Sequence, residues 1–237
     1  MLQTEKLPKL KLKPNIDSPV EESKSKPKQK QVIAKLQPTV NQHYHIVLPH
    51  GNSWIEVFPS LPNEIKMDAL TFERIWNLHP EKLAEGLING EHMEFPRWEQ
   101  SYGQSYFYVG YLHEALAIED PFMIEILAWV KKHSCQPYIN ILINWYLDGN
   151  HHIGPHMDGK SGQLVKDSSI YSFSYGQKRD FIVKSNDKSY RKVISMFNQS
   201  LIIMGGEMQE YYKHEVPKRA LSTCPGRRIN ITMRLFK

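Results

Sequence analysis

Cysteine is scarce: Cys135 and Cys224 are the only two in 237 residues. That is too few for a disulfide framework, and neither belongs to a CxxC pair of the kind structural zinc sites use. Both are expected to be reduced thiols. Long apolar runs are missing as well. No uninterrupted stretch approaches the roughly 18 residues needed to cross a bilayer, and the Lys-rich beginning has no apolar segment of the secretory type. The chain therefore reads as soluble and intracellular, with no membrane partner. No internal repeat is visible, which excludes a fibre or a solenoid.

Residues 1–40 lack glycine and every aromatic residue, while they carry Pro8, Pro14, Pro19, Pro27 and Pro38. Such a segment cannot bury enough apolar surface to offset the entropy of ordering, so 1–42 is expected to be a disordered basic tail. It holds nine Lys against Glu5, Asp17, Glu21 and Glu22, an excess of five that equals the formal charge of the whole chain, +5. The densest run, Lys24 to Lys30, fits a solvating leader, a phosphate-contacting arm or a nuclear-import patch. The last of these would make the protein nuclear in a eukaryote; otherwise it is expected to be cytoplasmic.

From about residue 43 aromatics, His and turn residues appear together and persist, which predicts one domain over 43–237. Asn63 to His79 reads as an amphipathic helix, with Ile65, Leu70, Phe72, Ile75 and Trp76 on its apolar face and Pro80 as its stop. Asp120-Pro121 is a cap and first-turn pair for a second helix to about His133, with Ile124, Leu127, Ala128 and Val130 buried. Seven runs rich in β-branched and aromatic residues follow: 139–147, 170–175, 180–183, 192–197, 201–204, 211–216 and 229–236. They are separated by turn signals at 148–150, 185–187, 205–206 and 225–226. The fold class is then α+β, mainly β: a sandwich or barrel with the two earlier helices packed on one outer face.

The richest stretch is NWYLDGNHHIGPHMD over 144–158. Period-two geometry sends the side chains of His156 and Asp158 to one face, a chelating pair. His214, in the 211–216 strand, is available as a third ligand. Two His and one carboxylate leave open positions of the kind that non-haem Fe(II) oxygenases use, although an HxD alone arises by chance in a chain with 11 His. The last strand adds weight. Arg228, Asn230, Thr232 and Arg234 share one face, and Ile229, Ile231, Met233 and Leu235 the other. Two guanidinium groups in a core are costly to desolvate without anions to bind, and Arg forks suit carboxylates. Taken alone, the same segment also fits a solvent-facing strand of ordinary charge.

In order along the chain stand NxYxxG, IGxHxD, IYSFSYGQKRDF over 170–181, LIIMGG over 201–206, HEVPK over 214–218 and RxNxTxR over 228–234. Over about residues 90–237 this set resembles the AlkB-type Fe(II)/2-oxoglutarate-dependent dioxygenases, which oxidatively remove alkyl groups from nucleic-acid bases. The resemblance implies a double-stranded β-helix, or jelly roll, with iron on His156, Asp158 and His214 as the catalytic centre. It implies 2-oxoglutarate held by Asn144, Tyr146, Arg228, Asn230 and Arg234, with Arg234 and Asn144 near the chelating end and Arg228 and Tyr146 near the distal carboxylate.

The stretch FPRWEQSYGQSY over 95–106 resembles part of the family's nucleotide-recognition lid, about 90–112 here. A methyl group inside a duplex is reached by extruding its nucleotide, and aromatic stacking compensates for lost base stacking. Arg97, Trp98, Tyr102 and Tyr106 are the substrate-side candidates, joined by Arg179 and Asp180 of the KRDF segment. For Trp98, Tyr102 and Tyr106, packing beneath a loop is the competing reading. The sequence departs from the best-known base demethylases just after the HxD, where they carry an acidic residue and this chain has Gly159-Lys160-Ser161-Gly162. The expected function is oxidative demethylation of N-alkylated bases in DNA or RNA by a monomeric enzyme, releasing succinate, CO2 and formaldehyde. The alternatives are a 2-oxoglutarate-dependent hydroxylase or demethylase of a protein side chain, and a non-catalytic nucleic-acid-binding module on the same fold.

Overall fold

Alternating side chains begin at once in the described part of the chain: in SWIEVF, Ser53, Ile55 and Val57 are buried while their neighbours are half-buried. A computed structural model describes residues 42–237 apart from residues 89, 109 and 159–161. The expected tail, with the run from Lys24 to Lys30, lies outside the described residues except for Gln42.

Strands β1 (Tyr44–Val47) and β2 (Ser53–Phe58) form an antiparallel hairpin. Helix α1 (Ala69–Trp76) follows. Next come β3 (Glu85–Ile88) and β4 (Glu91–Glu94), a hairpin of their own, and then β5 (Trp98–Tyr102). A second hairpin, β6 (Tyr106–Tyr108) with β7 (Tyr111–His113), leads to the short β8 (Ala115–Leu116) and to α2 (Pro121–Ser134). The remaining chain is β9 (Asn140–Tyr146), β10 (Ile153–His156), β11 (Ile170–Gly176), β12 (Arg179–Ser185), β13 (Arg191–Met196), β14 (Ser200–Gly206), the single-turn α3 (Met208–Tyr211), β15 (Tyr212–Val216) and β16 (Arg228–Arg234).

These strands make a large sheet in the order β1-β2-β14-β11-β16-β9-β5-β8 and a small one in the order β10-β15-β12-β13. Among the described residues only β5 and β8 pair in parallel; every other ladder is antiparallel. The two sheets share a core that includes Ile55, Val57, Ile202 and Met204 from the large sheet and Phe181, Val183, Ile194 and Val216 from the small one. A second core lies on the opposite face of the large sheet, where Ile75 and Trp76 of α1 and Phe122, Met123, Ile126 and Val130 of α2 pack against Trp145, Phe173, Ile229 and Ile231. Burial of such side chains stabilises by about 1.5–3 kcal/mol each. This is a jelly roll with helices on one outer face, as the sequence predicts.

Asp120 caps α2 by accepting from the backbone N–H groups of Phe122 and Met123, with Pro121 in the first turn. The predicted helix over 63–79 is divided instead. Asn63–Ile65 forms one 3-10 turn, and α1 begins only after Asp68, whose carboxylate accepts from the Thr71 N–H. A side-chain cap inside the periodic run set the start of the helix. Leu70, placed on the buried face by the longer helix, is 82% exposed. In α2 the stripe is rotated as well: Phe122, Met123 and Ile126 are buried, while Ile124 and Ala128 are exposed.

Gly205 and Gly206 read as a turn, yet they are the last two residues of β14. A Cβ on Gly205 would lie 2.0 Å from the Trp54 indole, and one on Gly206, at φ +60°, would lie 1.7 Å from the Asn52 carbonyl oxygen. Close approach of β2 requires glycine at both. No helix among the described residues is long and apolar enough to cross a membrane.

Candidate active site

In β16 alternation divides two tasks. Ile229, Ile231 and Met233 enter the core beneath the helices, and Arg228, Asn230, Thr232 and Arg234 face the other way, into a cavity between the sheets. The antiparallel ladder with β9 sets Tyr146 opposite Arg228, Asn144 opposite Asn230 and Asn140 opposite Arg234. All four polar residues of β16 are buried, so this is no solvent-facing strand.

The small sheet supplies the facing wall. His156 of β10 lies directly opposite His214 of β15, with ring centroids 4.2 Å apart. Asp158 follows one turn residue later, and ligand atoms of His156, Asp158 and His214 all fall within 4.8 Å of one another. The Asp158 carboxylate stands 3.9 Å from His156 Nε2 and 3.6 Å from His214 Nε2. His156 Nδ1 lies 2.9 Å from the Gly154 carbonyl, which accepts its proton and leaves Nε2 free to ligate. Phe181 stacks on the His214 ring, and Gln209 of α3 accepts from the Asp158 N–H.

Electrostatics prepare the trio for a cation. Burial alone would raise the Asp158 carboxyl, but Arg234, His214 and His156 together hold it well below the usual carboxylate range. Burial, assisted by His214, pushes the His156 imidazole down to about 3, and burial lowers His214. At neutral pH the trio is one carboxylate and two neutral imidazoles, the protonation state that binds a metal. His156 also gives a pH prediction. Its folded pKa lies below the ordinary value, so an unfolded chain takes up a proton that the folded chain refuses, and stability falls as pH drops from about 6.5 towards 3. Denaturant unfolding of the metal-free protein should show this loss, and His156→Ala should shrink it; an unchanged slope would mean that His156 protonates as freely folded as unfolded.

The arginines differ in their partners. Arg234 donates through Nη2 to Asp158 Oδ1 at 2.7 Å and lies over the Tyr106 ring. Arg228 donates to Ser174 Oγ at 2.8 Å and lies over the Tyr146 ring, and no carboxylate pairs with it among the described residues. Burial pushes it down to about 10, still charged at neutral pH. In both guanidinium groups Nε and Nη1 are buried without a partner. Two cations with four unsatisfied donors around one cavity fit a dianion with carboxylates at both ends.

The sequence candidates on the substrate side separate. Arg97 and Tyr106 line the cavity. Trp98 lies on the opposite face of β5, stacked on His79 at 4.3 Å and edge-on to Trp76. Tyr102 is buried in the core beneath the helices. Arg179 donates to the carbonyls of Asp148, His151 and Pro217, and Asp180 pairs with Arg219; neither lines the cavity. Two residues that sequence reasoning passed over belong here. Tyr108, two positions after Tyr106 on β6, lines the cavity with its ring edge-on to His156. Glu99, two positions after Arg97, is buried and paired with it. Period-two counting from Tyr106 and Arg97 would have found both. The loop residues Gly159 to Ser161 lie outside the described residues.

Residues 101–234, more than half of the chain, match the 2OG-Fe(II) oxygenase superfamily, and the chain belongs to it. That superfamily takes Fe(II) as metal and 2-oxoglutarate as co-substrate, and the His-Asp-His trio fits the metal. The chain is 29% identical over 164 residues to the DNA oxidative demethylase ALKBH2 of Mus musculus, covering 64% of this chain and 66% of that protein. Identity to ALKBH2 of Homo sapiens is also 29%, covering 64% of this chain and 61% of the relative. The chain thus spans just under two thirds of these relatives' length. In three dimensions it resembles OsALKBH1 with a TM-score of 0.55 at 16% identity, over 79% of this chain and 98% of that one, a likeness of fold.

Proposed function

We propose that the protein oxidatively demethylates N-alkylated bases in nucleic acid. The observation that carries this reading is one cavity that joins a His-Asp-His trio, two arginines with unsatisfied donors and an aromatic hairpin. His156, Asp158 and His214 would hold the iron. Arg228 and Arg234, with Asn144, Tyr146 and Asn230, would hold 2-oxoglutarate. Bound there, the two supply the oxidising power that, with O2, hydroxylates an N-methyl group while 2-oxoglutarate becomes succinate and CO2.

The chain's own residues bind, orient and exclude water. Arg228 neutralises one carboxylate, its guanidinium resting over the Tyr146 ring. Asn230 is itself fixed, since its amide donates to Ser172 Oγ and to the Phe173 carbonyl. Leu142, Ile153, Phe181, Met196, Met204 and Val216 form the apolar part of the lining and keep water from the reacting groups. Tyr106, Tyr108 and Arg97 would face the extruded nucleotide, and the hydroxymethyl product on nitrogen sheds formaldehyde to restore the base. The two hairpins, with Leu87, Met93, Phe107 and Leu112 exposed, would serve as the lid. The names of the ALKBH2 relatives favour DNA over RNA.

Iron-reconstituted full-length protein should release formaldehyde in step with succinate from at least one oligonucleotide carrying 1-methyladenine, 3-methylcytosine or N6-methyladenine. The panel covers single- and double-stranded DNA and RNA. Succinate without formaldehyde across it would reject nucleic-acid demethylation and favour a protein substrate; no succinate would reject turnover.

A further inference from the structure

Glu99 is a carboxylate with almost no exposed surface, and a group of that kind persists only when it is paired. It sits on β5 directly opposite Asn144 of β9. One oxygen, Oε2, accepts from Arg97 Nη2 at 2.5 Å; the other, Oε1, is buried without a hydrogen-bond partner, 3.1 Å from Nδ1 of His113 on β7, whose pKa is lowered by burial. The anion is thus held by Arg97 and stands against the β6–β7 hairpin, whose Tyr106 and Tyr108 line the cavity.

The link continues inward. Arg97 Nε donates to Asn144 Oδ1 at 2.7 Å. An arginine nitrogen only donates, so the atom of Asn144 that faces it must be the carbonyl oxygen. The NH2 end of that amide is then left as the donor Asn144 offers the cavity it lines. Without Arg97 in place the amide could turn over, presenting an acceptor to a carboxylate instead of a donor. Arg97 in turn is held by Glu99, which keeps a buried guanidinium firmly charged despite the opposing effect of burial.

We propose that Glu99 is a positioning residue that acts through Arg97 to set the Asn144 amide for 2-oxoglutarate. This rests on the reading of Asn144 as a co-substrate contact. A nucleotide held against Arg97 then stiffens the same ion pair that orients Asn144.

The test is a double-mutant cycle read by binding, with anaerobic calorimetry of 2-oxoglutarate against the iron-loaded full chain. Glu99→Gln keeps shape but removes the anion. It should weaken 2-oxoglutarate about tenfold, the size expected when one well-placed hydrogen bond worth about 1.4 kcal/mol is lost, with iron affinity unchanged. In an Asn144→Ala background the same change should have no further effect, because the group it acts through is gone. Arg97→Lys, which retains charge but loses the Nε donor, should behave alike and serves if Glu99→Gln fails to fold. Equal weakening in both backgrounds, or none in either, would overturn the relay. If Asn144→Ala alone left 2-oxoglutarate affinity intact, the co-substrate assignment of Asn144 would fall, and the proposal with it.

Discussion

Asp158→Ala is expected to lose iron by at least about 100-fold in affinity, and succinate formation with it. Removing a partner that merely supports a metal ligand already costs about 10–100-fold, and Asp158 is the only carboxylate of the trio. A second loss accompanies the first. Arg234 donates to Asp158 at 2.7 Å inside the protein, and removing one member of a buried ion pair leaves the other charge uncompensated, at about 3–5 kcal/mol. The variant should therefore unfold at lower denaturant even without metal. Metal titration and denaturant unfolding of the metal-free chain measure the two effects separately. Iron affinity within twofold of wild type would remove Asp158 from the metal site, whatever happened to stability.

Arg228→Met is expected to act in the opposite sense on stability and just as strongly on binding. Its guanidinium is buried, pushed down to about 10, and has two nitrogens without partners. Truncating the partner of a buried carboxylate costs about 2–5 kcal/mol in affinity, so 2-oxoglutarate should bind some 30-fold weaker or more, with iron binding unchanged. The metal-free protein, relieved of an unpaired buried charge and given an apolar side chain of similar reach, should be equally or more stable. Calorimetry of 2-oxoglutarate and thermal unfolding of the metal-free chain decide it. Unchanged affinity would take Arg228 out of the co-substrate site; a marked fall in stability would mean that its bond to Ser174 matters more to the fold than its desolvation.

The part of the fold most legible in the sequence is the part where alternation and turns agree. From β9 to β16 the ends of the predicted runs lie within two residues of the observed strands, β10 alone excepted. In β16 the alternation also assigned each face its task. The hairpin β1–β2 was passed over although SWIEVF alternates plainly, because β2 finds its partner in β14 through a register, Ile55 with Met204 and Val57 with Ile202, that no local pattern announces. The helix predicted over 63–79 exceeds α1 because apolar spacing continues across Asp68, whose capping role depends on the Thr71 N–H. Around the site, the trio and the arginines could be found because their residue types are costly to bury without a purpose. Trp98 and Tyr102 drew notice as aromatics, yet strand parity puts Trp98 across the sheet from Arg97. The quieter Glu99 shares the face of Arg97.

The pairing of β9 with β16 has a further consequence for how this chain can vary. Each strand carries packing on one side and polar groups on the other, so the two sides answer to different selective demands although they alternate residue by residue. Ile229, Ile231 and Met233 can be exchanged for apolar side chains of similar volume with modest loss. Arg228, Asn230 and Arg234 have no such neighbours in chemical space. On the proposed function, a change of base specificity would arise on the separate hairpins without touching this ladder, whereas insertion or deletion of a single residue within β16 would transpose the two sides and forfeit core and cavity together. The substrate edge of the molecule is thus free to diverge, while the ladder that would anchor its co-substrate is held in phase.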